Sequence, residues 1–375
     1  MRVVYSIGSK LAGGGIGTTA YHAVRGIFRA GHLARVICLG YEPTEIPGDL
    51  IRSLWFPSRR YLRIPPLHYY WFKDRSYDRR AAKLVLEGTD VFHGWNSHCL
   101  ASLRRAKALG ALTFVERGSA HSAVQTRLLE EEHARFGLRP PAELRKLADR
   151  CIAEYEAADY VHVPSEFVRR SFLEVGFPPH KLVEGPYGVD VARFKPSPLP
   201  EQFTALFVGN IGLQKGVPDL LAAWARAGMR GTGRLVLLGW VEDESARLVE
   251  SYRSRCAFET PGFASDVGAA YAGASVAVLP SIQDGYPLVV LEAMASGRPV
   301  IVSENTGTKD AVREGVDGFV VPIRSPDAIA EKLAWCRDHP AELAEMGRAA
   351  RARACEFPWE RSGSELVAAY ERVWR

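Results

Sequence analysis

The sequence of 375 residues lacks any apolar stretch approaching the roughly 18 residues that a transmembrane helix requires. It also lacks a compact run of basic residues, although its net charge is +5, so a nucleic-acid partner is not favoured. The N-terminal segment Met1–Ile7 lacks the pattern of a signal peptide, because a strand pattern runs directly into a glycine-rich turn. These absences favour a globular protein that works without nucleic acid.

Cysteine is sparse and scattered, and no two of the six cysteines have the close spacing of a metal-ligand pair. We therefore interpret them as mostly buried thiols, which are typical of a reducing compartment and predict a cytoplasmic protein. The content of 47% apolar and 24% charged residues is that of an ordinary globular chain. At this length, two domains are expected.

The first half opens with a strand–helix–strand pattern. The strand Val3–Ile7 is followed by the glycine loop Gly13–Gly17, a helical stretch from Thr18 to Ala30, and the strand Ala34–Leu39. Further short apolar runs alternate with helical segments, which predicts a parallel sheet covered by helices on both faces. The glycine loop is not a Walker loop, because no Gly-Lys-Ser/Thr follows it.

The same pattern restarts at Phe203, with the strand Thr204–Val208, a helix from about Pro218 to Ala227, and the strand Leu235–Leu238. We predict an α/β fold of two doubly wound, Rossmann-like domains, residues 1–196 and 197–356, facing each other across a deep cleft. Residues 357–375 have the apolar spacing of an amphipathic helix, which we expect to cross back to the first domain.

A segment late in the chain carries two acids on either side of a predicted helix start. The strand Val276–Leu279 ends before a loop with Asp284, and Pro287 suits the first position of a helix that contains Glu292. Both acids would face the crevice at the carboxyl ends of the strands, and the free N–H groups of the helix would face an anion there.

Bases and aromatics are interleaved between Arg59 and Arg80. This mixture suits the interface of an anionic bilayer, and it also suits a loop and helix packed on their own domain.

Three segments together resemble the family-four retaining glycosyltransferases of the GT-B fold, also described as glycosyl transferases group 1. They are the acid-pair segment Asp284–Ile301, the loop Val208–Val217, and the run from Ala158–Ser165 to Gly188–Phe194. Their order and spacing match from Val3 to the final helix at Trp359. The resemblance implies a hexosyltransferase that moves a sugar from a nucleotide diphosphate sugar to an acceptor hydroxyl with retention, without a bound metal or other cofactor.

The resemblance also implies the donor site. Lys215 and Asp284 would be catalytic, with Lys215 on the diphosphate and Asp284 on the donor sugar, while Glu292 would accept hydrogen bonds from the ribose hydroxyls. The predicted donor-binding residues are Gly15, Gly17, Gly209, Asn210, Lys215, Phe263, Asp284, Gly285, Tyr286, Pro287, Leu288 and Glu292. Two of them depart from the family pattern, because Asn210 stands where arginine is usual and Asp284 where glutamate is usual.

On the acceptor side, Glu116 stands where many relatives have a histidine at the end of a central strand, and it is the third predicted catalytic residue. The predicted acceptor-side residues are His93, Trp95, Arg117, Ser119 and His121. Each of them is also open to a structural interpretation, since a histidine at a strand end is more often a hydrogen-bonded core residue than a catalyst, and Trp95 would fill the crevice floor.

Two alternatives to a glycosyltransferase stay open. One is a nucleotide-sugar epimerase of the same fold, and the other is a non-catalytic sugar-nucleotide-binding protein, which the departures at Asn210 and Asp284 keep open. The expected partners are a nucleotide sugar donor and a saccharide, lipid-linked or small-molecule acceptor, in polysaccharide or glycoconjugate biosynthesis, with peripheral membrane contact as a further expectation.

Overall fold

Two parallel sheets organise the chain, whose computed structural model describes residues 1–57, 66–229, 231–264 and 266–374. The strands of the first sheet are β1 (Val3–Leu11), β2 (Leu33–Tyr41), β3 (Ile51–Ser53), β4 (Val91–Trp95), β5 (Leu112–Glu116), β6 (Tyr160–Val163) and β7 (Leu182–Glu184). The strands of the second sheet are β8 (Phe203–Val208), β9 (Gly233–Leu238), β10 (Glu259–Gly262), β11 (Val276–Leu279), β12 (Val300–Ser303) and β13 (Gly318–Val321). Their orders are β3-β2-β1-β4-β5-β6-β7 and β10-β9-β8-β11-β12-β13.

Helices connect these strands. They are α1 (Ile16–Arg29), α2 (Pro66–Ala82), α3 (Leu100–Ala108), α4 (Ser122–Arg135), α5 (Leu144–Ala157), α6 (Glu166–Glu174), α7 (Val217–Arg226), α8 (Ala246–Ser251), α9 (Val267–Ala272), α10 (Leu288–Ala295), α11 (Pro326–Asp338), α12 (Pro340–Ala354) and α13 (Trp359–Val373). The prediction of two doubly wound domains is confirmed. Buried apolar runs such as β11 form central strands because a parallel sheet with helices on both faces exposes neither face.

The last helix returns to the first domain, as predicted. Leu366, Ala369 and Tyr370 of α13 are buried in the same apolar cluster as Val24 and Ile27 of α1. The helical spacing of these residues puts them on one face of α13. The C-terminal helix is therefore part of the core of the first domain.

The two domains touch at the carboxyl ends of their strands. Ile282, which follows β11, is fully buried within the core cluster of the first domain. Ser165, which follows β6, donates a hydrogen bond from Oγ to the carbonyl of Gly285 at 2.7 Å. The loops that follow the strands of both sheets therefore meet in one cleft.

The basic and aromatic segment is only partly described. Arg59, Arg60, Tyr61 and Arg63 lie outside the described residues, and the later part forms α2. On α2, Trp71 is flanked by Arg75, whose guanidinium carbon is 4.5 Å from the ring centroid. Phe72 is 54% exposed. None of the described helices combines the length and the hydropathy that a membrane span requires.

Candidate active site

The site lies where the strand order of the second sheet reverses, between β8 and β11. In open α/β sheets such a reversal opens a crevice at the carboxyl ends of the strands. The loop 209–216 follows β8 and the loop 280–287 follows β11. Ile282 N–H donates to the carbonyl of Gln214 at 2.9 Å, so the two loops are joined directly.

Lys215 and Asp284 meet across these two loops. Lys215 Nζ donates to Asp284 Oδ2, and the side chains are 21% and 13% exposed. Asp284 is held by its backbone, because its N–H donates to Asn305 O at 3.0 Å and its carbonyl accepts from Gly307 N at 2.8 Å. The ammonium group is thus placed at the crevice by a fixed carboxylate, where an anionic ligand can compete for it.

The loop after β11 leads into α10. Pro287 is the N-cap residue and the helix begins at Leu288, one residue later than predicted. Gly285 and Tyr286 precede the cap, so the first free N–H groups of α10 lie just after Asp284 in the chain. These groups supply hydrogen-bond donors and the positive end of the helix dipole for an anion.

Glu292 lies in the second turn of α10, as predicted. Tyr271 OH donates to Glu292 Oε2 at 3.3 Å and to the carbonyl of Val289 at 3.0 Å. Burial raises the pKa of Glu292, against the opposing effects of Tyr271 and Arg193. The side chain of Glu292 is partly exposed, and its carboxyl oxygens have acceptor sites that Tyr271 does not occupy.

The remaining predicted donor residues lie at the carboxyl ends of other strands. Gly209 and Asn210 follow β8, and Asn210 is exposed. Phe263 follows β10 and is 71% exposed. Gly15 is the N-cap of α1 and Gly17 lies in its first turn, both after β1 of the first sheet. The predicted donor-binding residues therefore come from loops of both domains. In the first sheet, Gly15 and Gly17 lie beside the point where the strand order reverses, between β1 and β4.

Glu116, predicted to be catalytic, is the last residue of β5 and is only 2% exposed. His93 Nε2 lies 3.0 Å and His162 Nδ1 2.9 Å from its Oε2, and Tyr187 OH donates to Oε1 at 2.6 Å. Burial acts to raise the pKa of Glu116, but His162 and His93 outweigh it and hold that pKa below its usual range. The structure buries this carboxylate among three protein side chains at the end of β5.

Three predicted acceptor-side residues are also core residues of the first domain. His93 is fully buried and contacts Tyr370 OH through Nδ1 at 2.6 Å. Trp95 is buried and donates from its indole N–H to Tyr5 OH at 2.7 Å. Arg117 is 8% exposed, and its Nη1 donates to Asn96 Oδ1 at 2.9 Å. Their polar atoms are engaged by protein partners.

The other two acceptor-side residues lie in the chain that leaves β5. His121 caps α4 by accepting from Ala123 N–H at 3.2 Å, and burial together with Arg117 lowers its pKa to about 4. Ser119 reaches the second domain, where its Oγ donates to Gln283 Oε1 at 2.8 Å. Of the five predicted acceptor-side residues, Ser119 is the one that the structure brings to the loop of Asp284.

Sequence reasoning missed Gln283 and Tyr187. Gln283 is fully buried beside Asp284, and among the described residues its Nε2 has no hydrogen-bond partner. Tyr187 lies directly before the Gly188–Phe194 segment, and its ring packs on Tyr286 with centroids 5.4 Å apart. Their positions next to motif residues were the only signal in the sequence, because both contacts join distant segments.

Two family models match the chain. The model described as Glycosyltransferase Family 4 matches residues 13–193, and the model described as Glycosyl transferases group 1 matches residues 202–339. The first match begins at the glycine loop, just after β1, and covers β2 to β7. The second covers the sheet β8–β13 with Lys215, Asp284 and Glu292.

Curated relatives match over part of the chain. The chain is 29% identical over 219 residues to the D-inositol 3-phosphate glycosyltransferase of Segniliparus rotundus, covering 52% of this chain and 48% of that protein. It is 28% identical over 326 residues to the MMP alpha-(1->4)-mannosyltransferase of Mycolicibacterium hassiacum, covering 80% and 75%. The chain thus spans about half the length of the first of these relatives and three quarters of the second.

Solved structures share the whole fold. Sucrose-phosphate synthase from Thermosynechococcus elongatus superposes with a TM-score of 0.77 at 20% identity, covering 100% of this chain and 99% of that chain. Anabaena HepE in complex with UDP-glucose superposes with a TM-score of 0.70 at 15% identity, covering 100% of each chain. At these identities the likeness concerns the fold.

Proposed function

The chain belongs to the glycosyltransferases of family 4 and group 1, and from this premise we propose that it transfers a sugar from a nucleotide diphosphate sugar to an acceptor hydroxyl. We propose further that the anomeric configuration is retained and that no bound metal takes part. The observation that carries the proposal is the meeting of Lys215 with Asp284 in front of α10, at the strand-order reversal of the second sheet.

This arrangement suits a diphosphate leaving group. Negative charge develops on the diphosphate as the sugar–oxygen bond breaks, and Lys215 together with the N–H groups of α10 would stabilise it. Glu292 would hold the ribose and Asp284 the donor sugar. The acceptor oxygen would attack from the face that the diphosphate leaves, and its proton would pass to the departing phosphate oxygen.

The acceptor is proposed by class. The cleft offers polar groups from both domains, including Ser119 and Gln283, which suits a polyhydroxylated acceptor. Relatives named for inositol phosphate and mannosyl transfer support such an acceptor. A saccharide, a lipid-linked saccharide or a small polyol fits this description, in the biosynthesis of a polysaccharide or glycoconjugate in the cytoplasm.

A panel of nucleotide sugars tests the proposal. We expect one donor to raise the melting temperature of the wild type and to be hydrolysed slowly to the free nucleotide. Replacing Glu292 by Ala should weaken donor binding about tenfold, whereas replacing Lys215 by Ala should lower turnover more than binding, by about 100-fold. Full activity in either variant would contradict the site. An isomerised donor would indicate an epimerase, and binding without turnover a non-catalytic protein.

We also propose a peripheral membrane contact through α2. Its surface carries the exposed Phe72 beside Arg75, Arg79 and Arg80, a combination that suits an anionic lipid surface. Replacing Phe72 by Ser should reduce co-sedimentation with phosphatidylglycerol vesicles about fivefold. The matched control is Val316→Ser, which removes an exposed apolar side chain of the second domain and should change nothing. Equal sedimentation of all three proteins would contradict the contact.

A further inference from the structure

Glu116 is a buried anion with a complete set of hydrogen-bond donors. Its two carboxylate oxygens are approached by His93, His162 and Tyr187, each within 3.0 Å. Such a group is rigid, because moving any member would leave a buried charge or donor without its partner. The carboxylate therefore fixes the end of β5 together with the side chains of His93, His162 and Tyr187.

Tyr187 connects this cluster to the second domain. Its hydroxyl is bonded to Glu116, while its ring belongs to the apolar core of the second domain, together with Val189 and Phe194. The same ring packs edge-on against Tyr286, at an interplanar angle of 73°. Tyr286 lies two residues after Asp284, so the contact reaches the loop of the proposed donor site.

The chain that follows Glu116 touches the same loop. A Cβ atom placed on Gly285 would lie 2.3 Å from the carbonyl oxygen of Gly118, so the two backbones are in direct contact and only glycine fits at position 285. Ser119 Oγ donates to Gln283 Oε1 at 2.8 Å. The loop of Asp284 is thus packed against the end of β5 on both sides of Asp284.

We propose that Glu116 is a positioning residue, which holds the loop of Asp284 in place through Tyr187 and Tyr286. Glu116 itself does not touch the substrate. Its carboxylate fixes the Tyr187 hydroxyl, the Tyr187 ring fixes Tyr286, and Tyr286 fixes the backbone between Asp284 and α10. Because Lys215 is paired with Asp284, the position of the ammonium group depends on the same contacts.

Tyr187, which bonds Glu116, and Tyr370, which bonds His93, provide a matched pair of variants. Tyr187→Phe removes the hydroxyl that leads to the donor loop. Tyr370→Phe removes the hydroxyl that is bonded to His93. Tyr370 is also buried, but it lies on α13 and packs in the apolar cluster that contains α1. If the cluster only stabilises the first domain, the two variants should behave alike. If it positions the loop, they should differ.

The first readout is hydrogen–deuterium exchange measured by mass spectrometry on the full chain without ligand. In Tyr187→Phe we expect peptides covering residues 282–290 to exchange about fivefold faster than in the wild type, and peptides covering β5 to stay unchanged. In Tyr370→Phe residues 282–290 should exchange as in the wild type. Equal exchange of this segment in both variants would overturn the proposal.

A second readout rests on the proposed function and uses UDP and GDP as probes. Whichever nucleotide the wild type binds should bind about tenfold more weakly to Tyr187→Phe and with unchanged affinity to Tyr370→Phe. If the wild type binds neither, the proposed function loses support while the exchange experiment still decides the positioning role. Should Tyr187→Phe fail to fold, Tyr286→Leu breaks the contact from the other side and must give the same faster exchange.

Discussion

Lys215 and Asp284 form the pair on which the proposed chemistry depends at the residue scale. The ammonium group is neutralised by the carboxylate when the site holds no anion. A diphosphate would have to share or displace that carboxylate, so Asp284 opposes binding of the phosphates even while it is placed to contact the sugar. The two effects have opposite signs and can be separated by comparing a free nucleotide with a nucleotide sugar.

Replacing Asp284 by Asn is expected to separate the effect of Asp284 on the phosphates from its effect on the sugar. Without the carboxylate, the Lys215 ammonium is free for the phosphates, and the free nucleoside diphosphate should bind about threefold more tightly. Turnover of the nucleotide sugar should fall at least about tenfold, because the contact with the sugar is weakened. Calorimetric titration and a release assay measure the two quantities.

The control for this variant is Asp49→Asn. Asp49 is an exposed carboxylate of the first domain just before β3, and within the described parts of the chain it forms no ion pair. This control substitution should leave nucleoside diphosphate binding and nucleotide sugar turnover unchanged. Weaker nucleotide binding by Asp284→Asn would show that Lys215 needs its carboxylate partner to be held in place.

The strand, loop and helix that carry the proposed donor residues could be predicted because their signals are local. Asp284 and Glu292 lie in one short segment whose strand, loop and helix are readable from the sequence alone. The surroundings of Glu116 were not predictable in the same way. Its partners come from β4, β6 and the linker before β8, and only the folded sheet brings them to one point.

At the scale of elements, the contact between α1 and α13 depends on two glycines. A Cβ atom on Gly26 would lie 2.6 Å from the Cα of Gly363, so the helices cross with their backbones in contact. The amphipathic spacing of α13 predicted that it packs on the first domain. The crossing point was not predictable, because a helical glycine carries no signal of its own.

Replacing Gly26 by Ala tests this crossing. Alanine favours a helix by about 1 kcal/mol over glycine, but the added methyl group would force the helices apart at a cost that exceeds this gain. We expect a net loss of about 2 kcal/mol in the free energy of unfolding, measured by urea denaturation.

Arg372→Ala, at an exposed position on α13, serves as the control and should change the stability by less than about 0.5 kcal/mol. A gain in stability for Gly26→Ala would contradict this expectation. It would mean that the higher helix propensity of alanine outweighs the loss of the close backbone contact between α1 and α13.

At the scale of the whole molecule, the sequence predicted two domains and a cleft, since each domain repeats its own strand–helix pattern. It did not predict how closely the domains are joined. Ile282 of the second domain is buried in the core of the first. Arg135 and Glu132 of α4 contact charged side chains of the second domain. These contacts join residues far apart in the chain, and no local sequence pattern predicts them.

The charged contact between Arg135 and Asp219 offers a direct test of this domain arrangement. Arg135 Nη1 and Nη2 donate to the two oxygens of Asp219 at 2.7 and 2.6 Å, joining α4 to α7. Asp219 is 2% exposed, so Arg135→Ala leaves a buried carboxylate without its cation. Because Arg135 is itself one-third exposed, we expect a loss of about 2 kcal/mol, between the values for exposed and buried pairs.

The loss should come with a change of shape, because the pair joins the two domains. Small-angle X-ray scattering of Arg135→Ala without ligand should give a larger radius of gyration than the wild type, and a bound nucleotide sugar should reverse the increase. The control is Arg226→Ala, which breaks an exposed pair with Asp327 inside the second domain and should alter neither stability nor shape. If both variants keep the wild-type radius, the domains are held by Ile282 and the loop of Asp284, and the ion pair only adds to a closure that apolar burial already fixes.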